Sequence, residues 1–185
     1  MTTIIAPREH DLGDGFRVRR AVPTLQARSV GPFVFVDHMG PALFEPGRGI
    51  DVRPHPNIGL ATVTYLWAGA LRHRDTLGSV QDILPGDVNW MTAGRGIAHS
   101  ERTPPDPRAA GHAVHGMQTW VALPKADEEV APSFHHHAAS TLPLREHAGA
   151  TLRVIAGRGF GMESPVRVFA DTFNVAVDLA PDAEL

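Results

Sequence analysis

Short apolar runs rich in β-branched and aromatic residues recur along the chain, separated by glycine- and proline-bearing breaks. That spacing predicts many short strands joined by turns rather than long helices. Gly31 to Asp37 reads as a strand, and Ile58 to Trp67, with Thr62, Val63, Thr64, Tyr65 and Trp67, is the clearest one. Ile83-Leu84 leads through a Pro85-Gly86-Asp87 reversal into Val88 to Thr92. Gly116 to Leu123 forms a further strand that Pro124 stops, and no amphipathic helix is expected before residue 125. Lys125 to Glu129 reads as an exposed charged connector, after which Leu152 to Ala156, Val166 to Phe169 and Phe173 to Leu179 resume the strand pattern. The fold class is therefore all-β.

Polar residues two apart interrupt the apolar pattern at three places. His55 and Asn57 flank Pro56, His73 and Asp75 flank Arg74, and His99 and Glu101 follow the Gly94-Arg95-Gly96 bend. Residues i and i+2 of a strand share a face, so two such pairs on neighbouring strands aim four donors at one point. Neutral imidazoles with one carboxylate suit one divalent transition metal, iron(II) foremost. The reading is a mononuclear metal site inside a small β-barrel. The competing readings are bland: His55 as a turn histidine, Glu101 as a surface partner of Arg102, and His73 with Asp75 as an exposed edge pair. The matching spacing favours ligand roles for His55, His99 and Glu101, and a role for His73 and Asp75 in orienting a ligand imidazole. Gly94 and Gly96 are expected to take positive φ in the bend. Gln118 and Trp120 read as structural. The run His135-His136-His137 reads as an exposed loop, since three consecutive side chains of an extended chain cannot face one ion. Gly157 to Gly161 reads as a turn, because it lacks the spacing and the Lys-Ser/Thr of a phosphate cradle.

Composition changes the picture only by exclusion. A formal net charge of −3 supplies no basic field for nucleic acid or anionic lipid. The absence of cysteine rules out disulfides and thiolate-held metals, leaving His, Asp, Glu and Asn as ligands. The apolar run from Gly59 to Leu71 is too short to span a bilayer, and residues 1–10 lack a basic segment followed by an apolar core. A cytoplasmic protein is expected.

The segments Val30 to Pro41, His55 to Leu66, His73 to Gly78, Pro85 to Trp90, His99 to Glu101 and His115 to Trp120 together resemble the pirin family of the cupin superfamily. The resemblance covers nearly all of residues 15–125 and continues weakly through Ala156-Gly157. It implies a cupin, a double-stranded β-helix or jelly-roll barrel, over residues 1–125, with residues 126–185 as a linker and the opening strands of a second, incomplete cupin. It implies an iron-type metal held by three histidines and one glutamate. His55, His99 and Glu101 match three of those ligands, whereas Asn57 stands where the family usually has histidine. An amide oxygen is a neutral, harder donor than imidazole, so Asn57 is a candidate ligand that weakens the site by about 10–100-fold. The remaining two histidines and carboxylate still form the facial set of non-haem iron oxygenases.

Two functions follow from the resemblance. One is a quercetin 2,3-dioxygenase-type oxygenase acting on a small aromatic, flavonol-like substrate, with Glu101 both ligand and proton acceptor. The other is a non-catalytic metal- or redox-responsive module that binds a protein partner. A barrel without metal is the blandest alternative. Strand edges left open by an unfinished second barrel lead to the expectation of a homodimer or strand exchange.

Overall fold

The computed structural model describes residues 4–13 and 16–185, which fall into two compact units, one ending at His136 and the other running from His137 to Leu185. The first unit opens with two strands that the sequence pattern did not mark, β1 (Arg8–Asp11) and β2 (Arg17–Val22). There follow β3 (Phe33–Phe44), β4 (Asp51–Asn57), β5 (Leu60–Ala68), β6 (Leu71–Asp75) and β7 (Val80–Ile83). Next come β8 (Val88–Thr92), β9 (Ile97–Arg102), the one-turn helix α1 (Pro105–Ala110) and β10 (His112–Ala122). The helix was also unforeseen. Pro105 starts it and Gly111, at φ 78°, ends it. The His135–His137 run is part of β11 (Ser133–His137), not an exposed loop.

These strands make two sheets. One has the order β1-β2-β3-β10-β5-β8-β11 and the other β4-β9-β6-β7. Their apolar faces meet: Val18, Met39, Leu66 and Val114 of the larger sheet pack with Leu71 and Ile83 of the smaller in one buried cluster. A second cluster joins Met91, Ala93 and Ile97, with Phe134 of β11 against it. Gly86 carries φ 85°, as the Pro85-Gly86 reversal requires. Gly94 takes φ 50°, and a Cβ there would lie 2.0 Å from the carbonyl oxygen of Val130. Only glycine fits, and that fixes the bend feeding β9.

The second unit carries β12 (Leu144–His147), β13 (Ala150–Gly159), β14 (Met162–Glu163) and β15 (Phe173–Leu179), with β13 paired to the other three. Its core is apolar, built on Leu152, Val154, Ile155, Ala156, Val166 and Ala176. Residues 166–169, expected as a strand, are irregular instead. Val166 is buried there, but its N–H bonds the hydroxyl of Ser164 rather than a neighbouring strand. Gly157 to Gly159 lie in β13, and the turn comes at Phe160-Gly161.

Candidate metal centre

Strand β4 is built to hold two side chains rigidly. Its sequence Arg53-Pro54-His55-Pro56-Asn57 sets prolines before and between the polar residues, fixing φ on both sides of His55. Proline lacks the N–H that a central strand needs, and β4 lies at the edge of its sheet. The register on β9 pairs His55 with His99 and Asn57 with Ile97. On the other flank of β9, His73 of β6 pairs with Glu101 and Asp75 with His99. The three polar pairs therefore gather on three adjacent strands.

Hydrogen bonds fix which ring nitrogens are free. His55 Nδ1 lies 2.9 Å from the carbonyl oxygen of Arg53, an acceptor only, so it carries the hydrogen and Nε2 keeps its lone pair. His73 donates from Nε2 to Asp75 Oδ2 at 2.9 Å. Its Nδ1 is then the acceptor facing His99 Nδ1, a long contact of 3.5 Å. The network thus places a hydrogen on His99 Nδ1 and leaves its Nε2 bare. The rings of His55 and His99 stand 4.5 Å apart between centroids, and those of His73 and His99 5.3 Å apart. Phe134 stacks on His73 at 4.1 Å and closes that side against water.

Electrostatics agree with a lone-pair donor at His99. Burial pushes His99 down to about 4; the Glu101 carboxylate opposes the shift, while His55 and His73 reinforce it. Its imidazole is neutral at pH 7. Burial resists ionisation of Asp75, but hydrogen bonds from His73 and from the backbone N–H groups of Ser79 and Leu77 outweigh it and hold the carboxyl below its ordinary value.

Glu101 is buried and ties the two sheets together. Thr64 of β5 donates to its Oε1 at 2.9 Å, and Gln118 of β10 donates to its Oε2 at 2.6 Å. Gln118 is therefore more than the packing residue expected of it. The signal lay in the alternation of two strands: Thr62 and Thr64 on β5, and Gln118 opposite Thr64 on β10, are polar residues on inward positions. His136, whose Nδ1 lies 2.8 Å from Asn89 Oδ1, also takes part in the buried polar network.

Chemically the donor set suits a divalent ion: two imidazoles whose Nδ1 atoms are engaged, leaving Nε2 to ligate, and one carboxylate. Glu101 is turned towards Thr64 and Gln118, and among the described residues no three His, Asp or Glu side chains close on a single point. Two accepted hydrogen bonds still leave lone pairs on a carboxylate, which offers about four acceptor positions. The residues present thus fit an ion by chemistry, with Glu101 held in place by neutral donors.

Residues 15–121 match the family model described as Pirin. A pirin-like protein of Caulobacter vibrioides is 51% identical over 94% of this chain and 61% of its own length. Human pirin is 33% identical over 100% of this chain and 60% of its own. The crystal structure of a quercetin 2,3-dioxygenase from Acinetobacter baumannii superposes with a TM-score of 0.89 and 38% identity, over 96% of this chain and 57% of that one. The chain thus spans about 50–61% of the length of the curated relatives it matches.

Proposed function

The chain belongs to the pirin family, and on that premise we propose that His55, His99 and Glu101 hold one divalent metal, iron(II) foremost, in a centre that oxidises a flavonol-like substrate. One observation carries the reading: the two opposed imidazoles of β4 and β9 both have Nδ1 engaged, which in the neutral rings leaves Nε2 to bind the ion. Such an ion, when bound, supplies Lewis acidity towards a substrate oxygen and a place for dioxygen. The chain's own residues do the rest. Thr64 and Gln118 fix the Glu101 carboxylate, which accepts the proton of the substrate hydroxyl. Asp75 and His73 hold His99 in the tautomer with a bare Nε2. Met91, Ile97 and Phe134 form an apolar wall beside β9 that excludes water.

Elemental analysis and oxygen uptake with quercetin test the proposal. Near-stoichiometric metal with metal-dependent uptake is expected. Glu101→Ala should lower metal affinity by more than about 100-fold, beyond what a lost orienting partner costs, and abolish uptake. Uptake that survives in Glu101→Ala would overturn the assignment.

A second reading is a cytoplasmic regulatory module that binds a protein partner, in response to metal or redox state. The observation in its favour is that no three His, Asp or Glu side chains close on one point among the described residues, and Asn57 stands where the family resemblance implies histidine. A partner captured equally well by metal-free and Glu101→Ala protein, with no oxygen uptake, would support it. In either reading residues 126–185 are a linker and strands of a second cupin. A homodimer belongs to the same proposal, and a single-chain mass in light scattering would count against it.

A further inference from the structure

Asn57 is 6% exposed, and its Nδ2 has no hydrogen-bond partner among the described residues. It shares a face of β4 with His55, two residues away and in register with His99. Its backbone is fixed as well as its burial: Pro56 precedes it, and Gly59, two residues on, bonds from its N–H to the carbonyl oxygen of Gly94 at 2.8 Å. Opposite it on β9 is Ile97, which offers nothing polar beyond its backbone. The Nδ1 atoms of His55 and His99 are engaged, and both oxygens of Glu101 accept hydrogen bonds. On the facing sheet, Trp120 stands two residues beyond Gln118 on the same face of β10, and its indole Nε1 is also buried without an acceptor. Asn57 Nδ2 and Trp120 Nε1 are thus two buried donors without an acceptor among the described residues.

A cation does not satisfy an N–H: an ion would take the amide oxygen of Asn57 and leave Nδ2 still without a partner. We propose that Asn57 is a hydrogen-bond donor to an anionic oxygen of the bound substrate, an enolate or carboxylate, and not a ligand of the ion. This rests on the metal centre proposed above and adds the class of molecule it takes. That molecule offers one oxygen to the ion and a second, anionic one to the Asn57 amide. Asparagine at this position then has a consequence beyond weakening: an ion held by two imidazoles and a carboxylate would keep more positions for substrate oxygens than one held by a fourth protein ligand as well. The donor beside them favours an oxyanion at one of those sites.

The test uses the full chain, nickel(II) alone as the first probe and quercetin as the second, with calorimetry for the metal and the visible spectrum of quercetin for the anion. Asn57→Leu keeps the size of the side chain and removes its polar atoms. Its nickel dissociation constant should stay within about threefold of wild type, while quercetin binding to the nickel-loaded protein weakens by about tenfold, the loss of one hydrogen bond to a charged acceptor. Metal-free Asn57→Leu should melt no lower than wild type, because a buried donor without a partner has been removed. Asn57→Asp keeps the shape and should weaken quercetin binding with no loss of nickel, which guards against a leucine variant that folds poorly. Nickel affinity reduced tenfold or more in Asn57→Leu would make Asn57 a ligand and overturn the proposal, leaving the metal centre standing. Unchanged quercetin affinity would overturn it too. A wild type that takes up no nickel would sink the metal centre and this proposal together.

Discussion

The two compact units are made of the same kind of strand and differ in what they bury. In the first, His73, His99, Glu101, Asp37, Asn57 and Asn89 are all buried among the strands. In the second, the buried polar side chains among the described residues are the hydroxyls of Ser164 and Thr172, both hydrogen-bonded to nearby backbone carbonyls. Burying a charged or amide group is costly unless its partners are built in. The first unit meets that cost with a network spanning two sheets, from Asp75 through His73 to His99 and from Glu101 to Thr64 and Gln118. The second unit avoids it. The contrast teaches that a chemical site here is a matter of which inward positions are polar, with strand architecture held constant.

The largest expected effect breaks the second unit alone. Gly157 sits in β13 at φ 76°, and a Cβ there would fall 1.5 Å from the carbonyl oxygen of Thr172. Gly157→Ala should therefore disrupt the pairing of β13 with β15 at a cost of about 3 kcal/mol or more. Amide hydrogen exchange should show lost protection in Phe173–Leu179 with β4 and β9 still protected. Nickel uptake should be unchanged. Loss of metal binding in this variant would show that the centre depends on the second unit.

Acid should break the comparison from the other side. The His99 imidazole titrates at about 4 when folded, against 6.5 ordinarily, so between those values the unfolded chain holds a proton that the folded chain does not. Falling pH therefore favours unfolding, by up to about 3 kcal/mol across that window for the metal-free protein. His38, lowered by its burial and by Arg19, and His112, lowered by its burial, act in the same direction. Denaturant titrations at pH 7.5, 5.5 and 4.5 should show the decline, and His99→Gln should flatten it. The buried side chains of residues 137–185 include no histidine or carboxylate. A flat profile for the wild type would contradict the buried, neutral state of His99.

Much of this organisation was legible in the amino-acid sequence. The three i, i+2 pairs fall on adjacent strands, and Phe173–Leu179 is a strand over those residues. Family resemblance and strand periodicity agree there because each strand is both amphipathic and flanked by turn residues. The partners of Glu101 were harder to see. Gln118 and Thr64 lie far from it along the chain, and only the register of β10 on β5 brings them together. The His135-His136-His137 run misled for a local reason. Alternation along β11 turns Phe134 and His136 to one side, Phe134 onto His73 and His136 onto Asn89, so the histidines never act as a tract. Val166 to Phe169 has a strand's composition, but the Ser164 hydroxyl takes the N–H a partner strand would need.

The smallest effect sharpens the comparison within the first unit, because it separates holding an imidazole in place from ligating with it. Asp75 touches neither His55 nor Glu101 in the network; it acts on His99 through His73, whose Nε2 donates to its Oδ2 at 2.9 Å. Asp75→Asn preserves the shape and the backbone bonds that Asp75 accepts from Leu77 and Ser79, provided the amide oxygen faces them. The amide nitrogen then faces His73 Nε2, which must become the acceptor. The hydrogen moves to His73 Nδ1, and His99 Nδ1 is left as the acceptor with its hydrogen on Nε2. That is the atom the metal needs bare. Nickel affinity should fall by about tenfold, at the low end for an orienting partner. Long-range nitrogen-15 correlations of the metal-free protein should show His99 changing from the Nδ1–H to the Nε2–H tautomer. Asp75→Glu, which restores a carboxylate, should recover part of both. Weaker metal binding with an unchanged His99 tautomer would mean that Asp75 supports only the turn at Leu77 to Ser79, and the path from carboxylate to ligand would have to be abandoned.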